Sequence, residues 1–283
     1  YDNMLAPHAA INKVFGKALS LYASYSTGFK SPVSSYFFIP YATNNNGAVP
    51  GTGIVNTGLK PEKGIQYEVG SKGSLLNDKL SYQLAVFQIH FDNKMAAVSV
   101  QNAAGTATLY SYIVNAGSQN NRGVELAAAY ALVDQPSGFF RYVRPFGNMT
   151  YNDFHYEDYV FLGTNYHGNQ VAGVPKLMAN AGLDLGMGAG LYANLTYTYK
   201  DPVYITLAQK EAERTTSYNL LNAKMGIRQN LSQHVNLDAY VGADNLAGVQ
   251  YYNMIFVNQL PDAYLPAPKG VYYFGGVNLK YYF

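Results

Sequence analysis

A chain of 283 residues with charged side chains at only 13% of positions, a net charge of +2 and no cysteine excludes several classes of protein. It has no thiolate for zinc, iron–sulfur or disulfide chemistry, no basic run for nucleic acid, and no stretch of about eighteen apolar residues for a membrane helix. The apolar share is an ordinary 48%, while 28 Tyr, 14 Phe and 27 Gly favour strands and turns over helices. The chain begins at Tyr1 without an initiator Met or an apolar leader, so it is expected to belong to a longer protein.

Alternation of apolar and polar residues marks strands whose two faces differ. It predicts eleven of them, at 8–15, 19–27, 64–73, 79–93, 113–132, 140–153, 175–187, 190–200, 216–231, 235–246 and 270–283. In the fourth, Leu80, Tyr82, Leu84 and Val86 give way to Phe87, Ile89 and Phe91. This change of apolar face predicts a bulge there, or an exit from the membrane. The pattern is cleanest late in the chain. Leu191, Ala193, Leu195, Tyr197 and Tyr199 share one face, as do Val235, Leu237, Ala239, Val241 and Ala243, and then Val271 through Phe283 at every second position.

Short links of roughly three to seven residues alternate with links of roughly fifteen to thirty-five, an arrangement uncommon in compact soluble domains. The long ones run over 28–63, 94–112, 154–174, 201–215 and 247–269. A soluble sandwich or barrel also alternates. Long strands, sparse charge on the polar face and aromatics near strand ends favour a transmembrane antiparallel β-barrel with short turns at one rim and long loops at the other. The charges expected on its wet face are Glu68, Lys72, Glu125, Arg144, Asp184, Lys224, Arg228, Asp238 and Lys280.

Several segments resemble the barrel of TonB-dependent outer-membrane receptors of the ferric siderophore type. Leu21 to Pro32 is similar to that family's strand ending in Gly-Phe-basic-x-Pro, and Leu59-Lys60-Pro61-Glu62 followed by Tyr67-Glu68-Val69-Gly70 to its "LxPE, then YExG" segment. Arg122-Gly123-Val124-Glu125 resembles "RGxE", Gly173-Val174-Pro175-Lys176 resembles "xVPK", Val241 to Leu246 the penultimate strand, and Gly275 to Phe283 the closing strand with its terminal Phe. Each motif is weak alone, but together they span the chain in the family's order. The resemblance implies an all-β fold in which residues 1–283 are the C-terminal half of a barrel, about 11 of 22 strands, with the plug domain absent from this chain.

The same resemblance implies active import of a scarce ligand, a ferric siderophore above all. The implied partners are the TonB complex, the barrel-assembly machinery and outer-membrane lipid, with no cofactor and no metal of the protein's own. Loop aromatics suited to stacking on such cargo are Tyr36, Phe37, Tyr41, Tyr166, Tyr251 and Tyr264, with His167 beside them. Glu68, Glu125, Arg144 and Asp184 are candidates for gripping the plug, and Tyr281 and Phe283 for the assembly signal. His155 and His167 share a segment with Asp153, Glu157 and Asp158 but match no metal-ligand spacing. No Gly-x-Ser-x-Gly elbow or acid–base set suggests an enzyme. The alternatives are an importer of cobalamin, glycan or haem, and a passive porin.

Overall fold

Chain segments with period-two patterning form long strands, each paired antiparallel with the next in sequence. A computed structural model describes residues 4–16, 18–39, 42–44, 47–49, 53–102, 108–257 and 264–283. The eleven strands of the main path are β1 (His8–Phe15), β2 (Leu19–Lys30), β3 (Glu62–Leu75), β4 (Leu80–Gln101), β5 (Thr108–Tyr130), β6 (Phe140–Phe161), β7 (Leu177–Met187), β8 (Leu191–Lys200), β9 (Tyr218–Asn230), β10 (Val235–Asp244) and β11 (Tyr272–Tyr281). Their order in the sheet is their order in the chain. At one rim the turns are tight. Leu76, Asn77 and Asp78, for example, turn β3 into β4 with positive φ. No helix among the described residues is long and apolar enough to cross a membrane.

Register separates the faces as the alternation requires. Glu68 stands beside Phe87 and Ser24, Arg144 beside Asp184, Asn194 beside Lys224, and Asp238 between Arg228 and Asn278. All nine expected wet-face charges therefore lie on one face, and Val69, Leu84, Leu126, Leu195, Met225, Val241 and Val277 lie on the other. On the polar face, aromatic rings lie over cross-strand glycines: Tyr22 over Gly70, Phe146 over Gly182 and Tyr240 over Gly276. A Cβ at Gly182 would run into the Phe146 ring, so the missing side chain is what lets the ring lie flat on the wall.

Two expectations need correction. Of the two readings of the fourth strand, the bulge does not fall at Phe87. Val86 pairs with Val69, and Phe87 with Glu68, so Phe87, Ile89 and Phe91 simply sit on the polar face. Phe87 occupies the space over Gly123 and meets the Phe154 ring edge-on at 6.2 Å. The irregularity falls later, between Phe91 and Met95, where Asn93 takes φ 55°. In addition, much of the expected links 94–112 and 154–174 is strand, since β4, β5 and β6 run on to Gln101, from Thr108 and to Phe161. These extensions share a core with the 201–217 segment, made of Val98, Ala116, Tyr156, Tyr159 and Phe161 with Leu207. Burial pushes the Tyr156 hydroxyl up to about 12. Burial, then Tyr156 and Glu62, push Tyr159 up as well, so both phenols stay neutral.

The bulge is held from outside. Glu62, 6% exposed, accepts the Met95 amide at 2.6 Å and lies 3.5 Å from the Lys94 ammonium. Asn115 donates to the carbonyls of Lys60 and Asn93 and accepts from the Lys60 amide. The Leu59-Lys60-Pro61-Glu62 motif is thus a clip on the base of the extended strands.

Candidate functional site

The residues 201–217 are held as an ordered ladder. Asp201 accepts from the Tyr199 hydroxyl at 2.6 Å and the Leu177 amide at 2.9 Å, and fixes the start. Val203, 2% exposed, exchanges hydrogen bonds with Thr215, while Ile205 donates to the Glu213 carbonyl. At the tip, the Tyr204 hydroxyl donates to Glu211 at 2.7 Å, and Arg214 reaches the same carboxylate at 3.4 Å while lying 5.1 Å over the Tyr204 ring. The Tyr204 hydroxyl, then Arg214, hold the Glu211 carboxyl below its ordinary 4.5. The Thr206 hydroxyl, then Lys210, do the same for Glu213.

The last long loop is pinned by Asn245, which is 3% exposed with φ 54°. Its side chain donates to the carbonyls of Val249 and Gly270 and accepts the Val249 amide, so one amide ties the two ends of the loop. Between them, Tyr252–Ile255 pairs with Tyr264–Pro266 as a ribbon. Tyr251 and Tyr252 both stand 5.4 Å from the Tyr218 ring, and the Lys200 ammonium lies 4.8 Å over Tyr252.

Where the two loops meet is a cavity of about 460 Å³, lined among others by Arg214, Thr215, Tyr251, Tyr252, Tyr264 and Lys269. Arg214 is tied to Glu211, whereas Lys269 forms no ion pair with a described residue. Phenol rings with two cations suit a flat or anionic ligand: the rings stack, the hydroxyls donate, and the cations neutralise. Among the described residues, no group of three or more His, Asp or Glu side chains is placed to hold a metal.

Of the loop residues expected to meet cargo, the structure brings Tyr251 and Tyr264 together. Tyr166 packs against the core of the extended strands instead, and His167 meets the Glu157 carbonyl through Nδ1 at 2.9 Å. Tyr36 and Phe37 lie in a short 3-10 turn, Ser34–Phe37, and Tyr41 lies outside the described residues. Arg214 was not picked out from the sequence, and its only signal was the charged run 210–214 in an otherwise charge-poor chain.

A second depression, about 530 Å³, lies on the polar face and carries Glu68 and Glu125, with Tyr22, Lys72, Gln83 and Asn148 around it. Glu68 accepts from the Tyr22 hydroxyl at 2.8 Å and from Gln66 at 3.0 Å. Arg144 pairs loosely with Asp134 at 3.4 Å, and Asp184 accepts from Asn194. At the chain end, the rings of Tyr281 and Phe283 stand 5.2 Å apart, and His234 holds Tyr282 by both its carbonyl and its ring.

This antiparallel wall, short-turned at one rim and loop-bearing at the other, is of the receptor-barrel class. Residues 1–246 match the family "TonB dependent receptor-like, beta-barrel", and the chain belongs to it. No curated protein matches the sequence. Among solved structures, the ferric-catecholate import receptor Fiu from E. coli K12 is similar at 16% identity, with a TM-score of 0.66, over 96% of this chain and 34% of Fiu. The ferric yersiniabactin uptake receptor FyuA from Yersinia pestis is similar at 20% identity, with a TM-score of 0.60, over 98% of this chain and 37% of FyuA. The copper transporter OprC is similar at 16% identity, with a TM-score of 0.67, over 98% and 40%. The chain thus spans well under half the length of these proteins, and at such identities they share its fold alone.

Proposed function

We propose that this chain is the C-terminal portion of the barrel of an outer-membrane, TonB-dependent importer whose cargo is a ferric siderophore. The observation that carries the cargo is the cavity where Tyr251, Tyr252 and Tyr264 meet Arg214 and Lys269, because a bulky iron chelate offers flat donors and negative charge to match. The barrels that resemble it include receptors for ferric catecholate and ferric yersiniabactin. In this reading the apolar face meets lipid and the polar face lines the lumen. Glu68, Glu125, Arg144 and Asp184 there grip a plug supplied by the rest of the receptor. TonB withdraws that plug after cargo binds, and the assembly machinery reads Tyr281 and Phe283.

The test is binding of a panel of ferric chelates to the full-length receptor, with iron-limited growth in parallel. Tyr251→Ala with Tyr264→Ala should weaken binding by roughly 1–3 kcal/mol, at about 0.5–1.5 kcal/mol per aromatic contact, and Lys269→Gln should weaken it further. Unchanged binding, or growth supported by cobalamin or a glycan and by no ferric chelate, refutes the reading.

A further inference from the structure

Across β6 to β11, the polar face carries one row in which tyrosine and glycine alternate: Tyr142, Gly186, Tyr192, Gly226, Tyr240 and Gly276. Each tyrosine ring lies over the glycine that follows it in the row. At about 4.8 Å per strand, the row is a floor of rings about 24 Å long. Cations rest on that floor. The Arg144 guanidinium lies 5.0 Å over Tyr142, the Arg228 guanidinium 5.2 Å over Tyr192, and the Lys224 ammonium 3.9 Å over Tyr240 and 5.9 Å from Tyr192. The electron-rich face of a ring holds a cation in place without neutralising it.

These three cations are not equally satisfied. Arg228 meets Asp238 at 2.8 Å, and that carboxylate also accepts the Tyr192 hydroxyl at 2.8 Å. Arg144 stands 3.4 Å from Asp134. Lys224 is half-buried and forms no ion pair with a described residue. Its cross-strand neighbours are Asn194 and Gly242, and Asp184, in the same row, accepts from Asn194. From β8 to β11 the polar face therefore sets Lys200, Lys224, Arg228 and Lys280 against Asp238 and Asp244. From β3 to β5, the depression of about 530 Å³ sets Glu68 and Glu125 against Lys72. The two walls carry opposite sign.

We infer that this wall is a docking station for an acidic segment of the receptor's own plug, with an Asp or Glu carboxylate on the Lys224 ammonium and the segment's backbone laid across the Tyr192 and Tyr240 rings. The station rests on the reading above, in which the polar face lines a lumen that holds the plug. A free anion would use the ammonium but none of the ring floor, whereas a polypeptide crossing the strands covers both. Charge complementarity of this kind fixes orientation. The plug that fits presents acid toward β8 to β11 and base toward β3 to β5, so turning it within the barrel sets like charges against each other on both walls.

The test is zero-length carbodiimide crosslinking and amide hydrogen exchange of the full-length receptor, in detergent and without cargo, on variants recovered as heat-modifiable barrel. In wild type the crosslink should join Lys224 to an Asp or Glu outside residues 1–283. Lys224→Gln should speed exchange of the segment around that acid about tenfold, the ratio that one charge-assisted contact supplies. Lys224→Arg keeps the charge but offers no amine, so it should lose the crosslink and keep wild-type exchange. Plug exchange unchanged by Lys224→Gln overturns the station. So does a wild-type Lys224 that links only to Asp184 or Asp238, to a separate protein, or to nothing. Labelling of Lys224 and Tyr240, in place of Val241 and Val277, by a membrane-soluble carbene probe overturns the lumen reading and the station with it. Ferric-chelate binding by the same preparations reports separately on the cargo reading.

Discussion

Replacing Glu62 by Ala should free the outer ends of β4 and β5 without unfolding the sheet. The carboxylate is 6% exposed and makes two contacts: the Met95 amide at 2.6 Å and the Lys94 ammonium at 3.5 Å. Losing a charged acceptor for a backbone N–H is worth about 1.5–3 kcal/mol. The Lys94 side chain is 28% exposed and its ammonium also lies 4.7 Å over the Phe91 ring, so water and that ring recover most of its half of the pair. A local opening easier by about 2 kcal/mol follows, which is roughly thirtyfold in rate at 1.36 kcal/mol per decade. Hydrogen–deuterium exchange of the full-length receptor should show that acceleration at Met95 and over 113–117, with β8 to β11 unchanged. Glu62→Gln keeps an acceptor for Met95 and should lose less than half as much. Equal exchange in wild type and Glu62→Ala would refute the clip. So would a collapse of the whole sheet, because the ladder of β3 with β2 and β4 does not depend on this carboxylate.

Two further outcomes follow from the loops and the chain end. Because the folded Glu211 and Glu213 carboxyls lie below their ordinary 4.5, their contacts contribute fully above that pH and lose their contribution as pH falls through the depressed values. Amide exchange over 201–217 should rise in that acid window, and Glu211→Gln with Glu213→Gln should abolish the step; a flat wild-type profile counts against the contacts. Deleting Phe283 from the full-length receptor should reduce assembled barrel far more than deleting Asn165 from a loop tip, measured as heat-modifiable barrel in membrane fractions, and equal yields would leave Phe283 no part in assembly.

Alternation alone was enough to detect eleven strands and, outside β4 to β6, to assign their sides, as in Leu191–Tyr199 and Val271–Phe283, because a strand's side-chain period is two and each face meets a different solvent. The same pattern misjudged β4 to β6. Phe87, Ile89 and Phe91 looked like a change of face since nothing local shows that Gly123 lies across the sheet, open to a ring. The extensions to Gln101 and Phe161 looked like loops because Val98, Ala116, Tyr156 and Leu207 bury one another instead of facing a uniform solvent, so periodicity carried no signal. Sequence named Tyr166 alongside Tyr251 and Tyr264 without distinguishing them, whereas the structure packs Tyr166 against the core of the extensions and sets the other two in one cavity. Only the tertiary structure set Arg214 beside Tyr251 and Tyr264, because it is the ladder from β8 through β11 that brings the loops 201–217 and 247–269 to one rim.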